Sequence, residues 1–114
     1  MLTSKQCAPC NGESQALSSD QQMELIKQLA DWQRVVRNDV AQLEKSYRFK
    51  NFKLAWAFSN QVAELAEEEF HHPTIVLEWG KVTVTWWSHS LKGLHENDFI
   101  CAAKCDALFD SNQG

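Results

Sequence analysis

Apolar and polar side chains alternate along residues 42–49. Because successive side chains of a strand point to opposite sides, this alternation predicts a strand with one buried face. A shorter strand is predicted over residues 31–36, which contain Trp32, and residues 37–39 turn the chain between the two. The apolar side chains of the longer strand share one parity: Leu43, Tyr47 and Phe49. The two segments together predict a half-buried antiparallel pair.

A second hairpin is predicted from residue 74 to residue 88. Residues 74–79 and 81–87 are rich in β-branched and aromatic side chains, and Gly80-Lys81 favours a tight turn between them. The first of these strands carries its large apolar side chains on one parity: Ile75, Leu77 and Trp79. Because a two-residue turn pairs the end of one strand with the start of the other, the chain after residue 87 returns toward residue 74.

Helical periodicity accounts for most of the remaining chain. Ser18 or Ser19 is suited to cap a first helix, with Gln21 or Gln22 completing a capping box. One apolar stripe is expected on that helix: Met23, Ile26 and Leu29. Asn51 or a neighbour begins a long helix that ends near Phe70 or His71, and its apolar residues cover a face wider than one sheet requires: Phe52, Leu54, Ala55, Trp56, Phe58, Val62, Ala63, Leu65 and Ala66.

A loop from residue 90 to residue 96 precedes a final helix that runs to Phe109 and is capped by Asn97 or Asp98. For Asp98, this capping role is favoured over direct catalysis. The element order is therefore α-β-β-α-β-β-α, which predicts an α+β fold with a four-stranded antiparallel sheet and helices packed on one face. Residues 1–16 are polar and indicate a flexible tail, and residues 17–114 form a single predicted domain.

The sequence around Pro73 concentrates titratable side chains. Pro73 cannot continue a helix, so His71 and His72 are expected at a helix-to-strand corner. Glu67 lies four residues before His71 and shares its face if the last turn is helical, where its carboxylate would orient the His71 ring. His89 follows the second hairpin strand and is expected to return toward the corner. Three of the four histidines in the chain thus converge.

An imidazole has an unperturbed pKa of about 6.5, which suits acid–base catalysis near neutral pH. Two other interpretations stay open. The histidines can be structural or solvated, or they can hold a metal ion. Two adjacent histidines are poorly spaced to bind one metal ion, and no H-E-x-x-H pattern is present, so no metal is expected.

Composition and charge exclude several classes of protein. The net charge is −4, and the acidic residues concentrate near residue 67, whereas nucleic-acid binding favours a basic surface. No signal peptide or membrane span is visible, so a cytoplasmic location is expected. Cys7 and Cys10 form a C-x-x-C pair, which can indicate redox or zinc chemistry, but no strand precedes it. Cys101 and Cys105 are expected to be small buried hydrophobic residues.

The residues around Pro73, together with His89 and Asp98, have a spacing that resembles that of the pterin-4a-carbinolamine dehydratases. These proteins are also called dimerisation cofactors of a homeodomain transcription factor. The resemblance spans residues 17–109 and includes residues 47–52. His95, Asn97 and Trp79 depart from the residues that are usual in the family. The spacing is carried by seven residues: Glu67, His71, His72, Pro73, Trp79, His89 and Asp98.

The resemblance implies a lyase that removes water from 4a-hydroxytetrahydrobiopterin without a cofactor, since the pterin is the substrate. It implies His71 and His89 as acid–base residues and His72 as the residue that orients the pterin. Four residues are expected to support the site or the substrate: Glu67, Trp87, Ser88 and Asp98. Trp86 or Trp87 would be suited to stack on a flat ring, although strand tryptophans are more often core residues.

The resemblance also implies a homodimer or homotetramer that recycles pterin for an aromatic amino-acid hydroxylase, with no direct nucleic-acid or membrane partner. Two alternatives belong to other classes. The first is a non-catalytic interaction protein that binds partners through the wide apolar face of the long helix. The second is a small metalloprotein that uses His71, His72, His89 and the Cys7/Cys10 pair, for which we expect substoichiometric metal.

Overall fold

A computed structural model describes residues 17–29, 31–89 and 92–113 of the chain. The predicted element order and the α+β class are confirmed. The predicted tail over residues 1–16, with Cys7 and Cys10, lies outside the described residues. The elements in chain order are α1 (Ser19–Ile26), β1 (Gln33–Arg37), β2 (Val40–Arg48), α2 (Phe52–Glu69), β3 (Thr74–Glu78), β4 (Lys81–Trp86) and α3 (Glu96–Gln113).

The four strands form one antiparallel sheet in the order β1-β2-β4-β3. Asn38 and Asp39 connect β1 to β2 with φ angles of 52° and 63°. Positive φ at both central residues is the requirement of a type I′ hairpin turn, and Asn and Asp tolerate it better than most residues. The first predicted turn is therefore confirmed.

The turn between β3 and β4 lies one residue earlier than predicted. Glu78 pairs with Lys81, so Trp79 and Gly80 form the turn and Lys81 belongs to β4. Trp79 is 68% exposed and does not share the half-buried face of Ile75 and Leu77. Gly80 is required here, because a Cβ would lie 2.9 Å from the carbonyl oxygen of Phe49.

Helix caps follow the sequence closely. Ser18 caps α1 and forms a capping box with Gln21. Asn51 caps α2, with its side-chain oxygen accepting the Leu54 backbone N–H across 2.9 Å. The predicted apolar stripe of α1 is wrong at Met23, because this side chain is 57% exposed. Gln22 is buried instead. Its polar amide tolerates burial because the amide nitrogen donates to the Leu17 carbonyl and the amide oxygen accepts from Arg34.

All three helices lie against one face of the sheet. Tyr47 on β2 packs its ring against Phe58 of α2 and Phe109 of α3, and α1 meets β1 through the hydrogen bond from Arg34 to Gln22. Asp106 of α3 lies inside this layer and accepts the Tyr47 hydroxyl across 2.6 Å. Burial, above all, raises the pKa of Tyr47 well beyond its ordinary value. The hydroxyl therefore stays a hydrogen-bond donor at any physiological pH.

Two further predictions are corrected in part. β1 begins at Gln33 and not at residue 31, because Asp31 has a φ of 67°, which is incompatible with a strand. Trp32 precedes the strand but is buried, as a core residue. On α2, the buried side chains are Ala55, Phe58, Ser59, Val62, Leu65 and Ala66. Other members of its wide apolar face are exposed: Phe52, Leu54, Trp56 and Ala63.

Among the described residues, no helix combines the length and the apolar character that crossing a membrane requires.

Candidate active site

The end of α2 determines where the two adjacent histidines point. Phe70 adopts the left-handed conformation, with φ 53° and ψ 38°. The His71 N–H donates to the Ala66 carbonyl and the Phe70 N–H to the Glu67 carbonyl, which is the pattern of a Schellman motif. The helix therefore stops before His71, and Pro73 leads directly into β3. This reversal directs His71 into the protein and leaves His72 exposed.

His71 is held by a carboxylate and by an aromatic ring. Its Nε2 lies 2.5 Å from Oδ1 of Asp98, and its ring stacks on Trp86 with centroids 5.6 Å apart and planes 10° from parallel. The His71 side chain is 9% exposed and the Asp98 side chain is fully buried. Contacts on an edge and on a face fix the orientation of the imidazole.

Asp98 accepts hydrogen bonds from several donors at once. Its Oδ2 accepts the Ser88 hydroxyl across 2.8 Å and the His95 backbone N–H across 2.9 Å, while Oδ1 faces His71. An ionised carboxylate has only acceptor sites, which matches this set of donors. Beside an ionised Asp98, His71 donates its Nε2–H, and Nδ1 is then the ring nitrogen left for another partner.

Strand register explains why His71 and Ser88 meet at one carboxylate. Thr74 of β3 pairs with Thr85 of β4, and continuing this register beyond the strands places His71 opposite Ser88. Ser88 is itself fixed by an isolated bridge to Gly93, whose carbonyl accepts the Ser88 N–H across 2.8 Å. Hairpin geometry thus joins two positions that lie far apart in the sequence.

The predicted partner of His71 was wrong. Glu67 lies beside His72, with 3.2 Å between Glu67 Oε1 and His72 Nε2, and both side chains are mostly exposed. The expected pairing assumed a helical last turn, whereas the left-handed Phe70 ends the helix one residue before His71. Asp98, not Glu67, orients His71.

His89 stacks on Trp87, with ring centroids 4.3 Å apart and planes at 24°. Trp87 is half-buried and His89 is exposed, whereas the neighbouring Trp86 is fully buried in the core. The described residues therefore bring His71, Ser88 and Asp98 into one hydrogen-bonded group, with separate pairs of His72 with Glu67 and of His89 with Trp87.

The predicted N-cap of the last helix is also corrected. α3 begins at Glu96, so Asn97 and Asp98 lie inside its first turn and His95 occupies the capping position. Nδ1 of His95 accepts the Asn97 backbone N–H across 3.1 Å. The sequence contained a signal for this arrangement, because His95 and Asp98 have the spacing of a capping box, although histidine is an unusual residue at its first position.

Within the described ranges, no group of three or more His, Cys, Asp or Glu side chains is arranged to hold a metal ion. Cys101 and Cys105 of α3 are buried thiols. Burial raises the pKa of Cys105 to about 12, so this thiol stays protonated at neutral pH.

Comparison with known proteins adds an independent observation. A sequence model of the family described as pterin 4 alpha carbinolamine dehydratase matches residues 15–108. A Vibrio cholerae protein, provisionally named pterin-4-alpha-carbinolamine dehydratase, is 65% identical over 108 residues, which cover 95% of this chain and 99% of that protein.

Two solved structures share the fold. A transcriptional coactivator/pterin dehydratase from Brucella melitensis has a TM-score of 0.75 and 32% identity, covering 82% of this chain and 97% of its own. A pterin dehydratase-like protein described as a RuBisCO assembly factor in the alpha-carboxysome has a TM-score of 0.58 and 28% identity, with coverage of 68% and 88%.

Proposed function

Because the chain belongs to the pterin 4 alpha carbinolamine dehydratase family, we propose that it removes water from a 4a-hydroxytetrahydropterin. The product is the quinonoid dihydropterin. In this elimination the C4a–O bond breaks, the leaving hydroxyl takes up a proton to depart as water, and N5 loses a proton as the C4a–N5 double bond forms. The reaction is redox-neutral and needs no electron acceptor.

The observation that carries the proposal is the buried contact between His71 and Asp98. The carboxylate holds the proton of His71 on Nε2, which leaves Nδ1 as the atom that exchanges a proton with substrate. A general acid–base residue needs a fixed ring and one available nitrogen, and this contact supplies both. An isolated surface histidine would lack the fixed orientation.

The elimination requires a proton donor and a proton acceptor on two atoms of the substrate. We assign these two roles to His71 and His89, and the orientation of the pterin to His72. Glu67 supports His72 through their contact, while the stack of Trp87 on His89 holds the second ring. Ser88 and Asp98 support His71 from behind, with the Ser88 hydroxyl donating to Asp98.

In the cell, this activity would return pterin released by aromatic amino-acid hydroxylases to the reducible form. A hydroxylase is then a functional partner that supplies the substrate. The reaction as proposed uses no metal and no cofactor besides the pterin substrate.

The direct test is the dehydration of chemically generated 4a-hydroxytetrahydropterin, followed by ultraviolet absorbance. We expect a rate that rises linearly with protein concentration above the rate in buffer, and that survives dialysis against a chelator. A rate equal to that of buffer at all protein concentrations would overturn the proposal.

A second candidate function is a non-catalytic interaction module. It is favoured by apolar side chains that α2 leaves exposed, at 45% for Phe52, 47% for Leu54 and 53% for Trp56. The names of the two structural neighbours include a coactivator and an assembly factor. The same face suits self-association as a dimer or tetramer.

The test is the molar mass in solution, measured by light scattering for wild type and Trp56→Glu. If the face mediates self-association, the introduced charge should lower the mass. If the two masses are equal, the face does not hold copies of this chain together.

A further inference from the structure

His95 caps helix α3 with its imidazole. The residue before a helix normally supplies a side-chain oxygen that accepts a backbone N–H of the first turn, and Ser, Thr, Asp and Asn are preferred there. Here Nδ1 of His95 accepts the Asn97 N–H across 3.1 Å. The ring nitrogen therefore replaces the usual oxygen.

The cap is reciprocal and it includes the carboxylate of the candidate site. The His95 backbone N–H donates to Oδ2 of Asp98 across 2.9 Å, while Oδ1 of the same group faces His71. In an ordinary capping box the acidic residue only satisfies the helix end. In this chain one fully buried carboxylate joins the helix cap to the buried imidazole. Consecutive hydrogen bonds therefore link the His95 backbone to Asp98 and Asp98 to His71.

The capping bond depends on the protonation of His95. Nδ1 accepts a hydrogen bond only while it keeps its lone pair, so the neutral ring carries its proton on Nε2. An imidazolium has a donor on both nitrogens and cannot cap. A serine or asparagine cap has no such dependence.

The charges near this helix end have both signs: the α3 dipole presents its positive end there, and carboxylates lie close to it. Glu96 lines a groove beside this end together with Asp20 and Glu24 of α1. Among the described residues, Asp98 accepts the His95 backbone N–H and Glu96 follows His95 in the chain, while His71 lies on the far side of Asp98 and Asp20 and Glu24 share the groove with Glu96.

We propose that His95 is a positioning residue: its neutral imidazole caps α3, holds Asp98 in place and, through Asp98, fixes the ring of His71. The kinetic consequence rests on the proposed dehydratase function, but the link from His95 to His71 does not. Protonation of His95 releases the cap and loosens the His71 contact.

The kinetic test compares wild type, His95→Ala and His95→Ser between about pH 5.5 and pH 8, the range in which an imidazole titrates. At the upper end, we expect His95→Ala to lower kcat about tenfold with little change in KM, and His95→Ser to restore most of it. Toward the lower end, His95→Ser should keep a larger fraction of its own kcat than wild type keeps. Equal pH profiles for wild type and His95→Ser would overturn the proposal, and this comparison does not require that His95→Ala folds.

A second measurement separates this inference from the proposed function. Nitrogen-15 NMR of the imidazoles in wild type should show His95 protonated on Nε2 alone. The His71 Nε2–H resonance should shift when His95 is replaced by alanine. Toward low pH, the same resonance should shift in wild type but not in His95→Ser. If the protein has no dehydratase activity, these shifts still support the link. A His71 resonance that shifts neither on substitution of His95 nor on its protonation would overturn the proposed link from His95 to His71.

Discussion

Nε2 of His71 lies 2.5 Å from Oδ1 of Asp98, a hydrogen bond between residues 27 positions apart in the chain. Asp98 is fully buried and serves Ser88 and the His95 backbone with its other oxygen. One carboxylate therefore orders the chain just after β4, the start of α3 and the candidate catalytic imidazole. Its removal is expected to affect chemistry more than packing.

Replacing Asp98 by asparagine keeps the volume and removes the charge. The two donors at Oδ2, from Ser88 and His95, require the amide oxygen there, which leaves the amide NH2 facing His71. His71 must then accept on Nε2 and carry its proton on Nδ1, the wrong tautomer for proton uptake. We expect Asp98→Asn to lower kcat on the order of 10²-fold or more in a folded protein. A kcat within about threefold of wild type would contradict this role.

Glu67→Gln is the matched control for that substitution. Glu67 and His72 are 77% and 62% exposed in their side chains, so solvent screens their attraction. We expect a free energy of unfolding within about 0.5 kcal/mol of wild type, and a loss of kcat much smaller than that of Asp98→Asn. Equal losses for the two variants, measured in the same assay, would restore Glu67 as the residue that orients a catalytic histidine.

Much of this arrangement was predictable from local sequence. Pro73 placed the corner, Asn51 and Ser18 marked two helix starts, and alternation over residues 42–49 placed a strand. Each of these signals acts within a few residues, where sterics and capping chemistry dominate. The element order followed from them and is confirmed.

The partner of His71 was not predictable in the same way. Assigning Glu67 assumed helical geometry up to His71, and the left-handed conformation of Phe70 breaks that geometry. No sequence rule favours a phenylalanine there, because glycine or asparagine is usual. The contact with Asp98 arises instead from strand register and from the packing of α3, both of which are tertiary. His95 is an intermediate case, because its spacing from Asp98 is that of a capping box but histidine is an unusual residue at the first position.

Phe70→Gly is expected to stabilise the protein. A residue with a Cβ pays roughly 1 kcal/mol or more in the left-handed conformation, and Phe70 is 86% exposed, so its ring gains little from burial. We expect the free energy of unfolding to rise by about 1 kcal/mol in urea denaturation. Phe70→Ala is the control, because alanine keeps the backbone strain. A glycine variant no more stable than the alanine variant would show that the left-handed conformation costs little here and would contradict the prediction.

The outer face of the sheet gives a pH-dependent prediction. Hydrogen bonds from Arg37 lower the pKa of Glu44 below its usual range. A carboxyl whose pKa is lowered by folding adds stability above its unfolded pKa, and that stability is lost as the pH falls through the folded value. Glu44→Gln should therefore destabilise the protein by less than about 1 kcal/mol at neutral pH, since Arg37 is half-exposed. The difference from wild type should shrink as the pH falls below the ordinary glutamate pKa of about 4.3, and vanish once the folded carboxyl is protonated. A difference that persists unchanged at low pH would point to packing and not to charge.

The central claim is that His71, oriented by Asp98, exchanges a proton with a 4a-hydroxytetrahydropterin. The most direct measurement is the rate of dehydration by wild type and His71→Ala, followed by ultraviolet absorbance, with circular dichroism to confirm that both fold. We predict a fast wild type and a variant slower on the order of 10²-fold or more. A wild type no faster than buffer, or a folded variant as fast as wild type, would contradict the account.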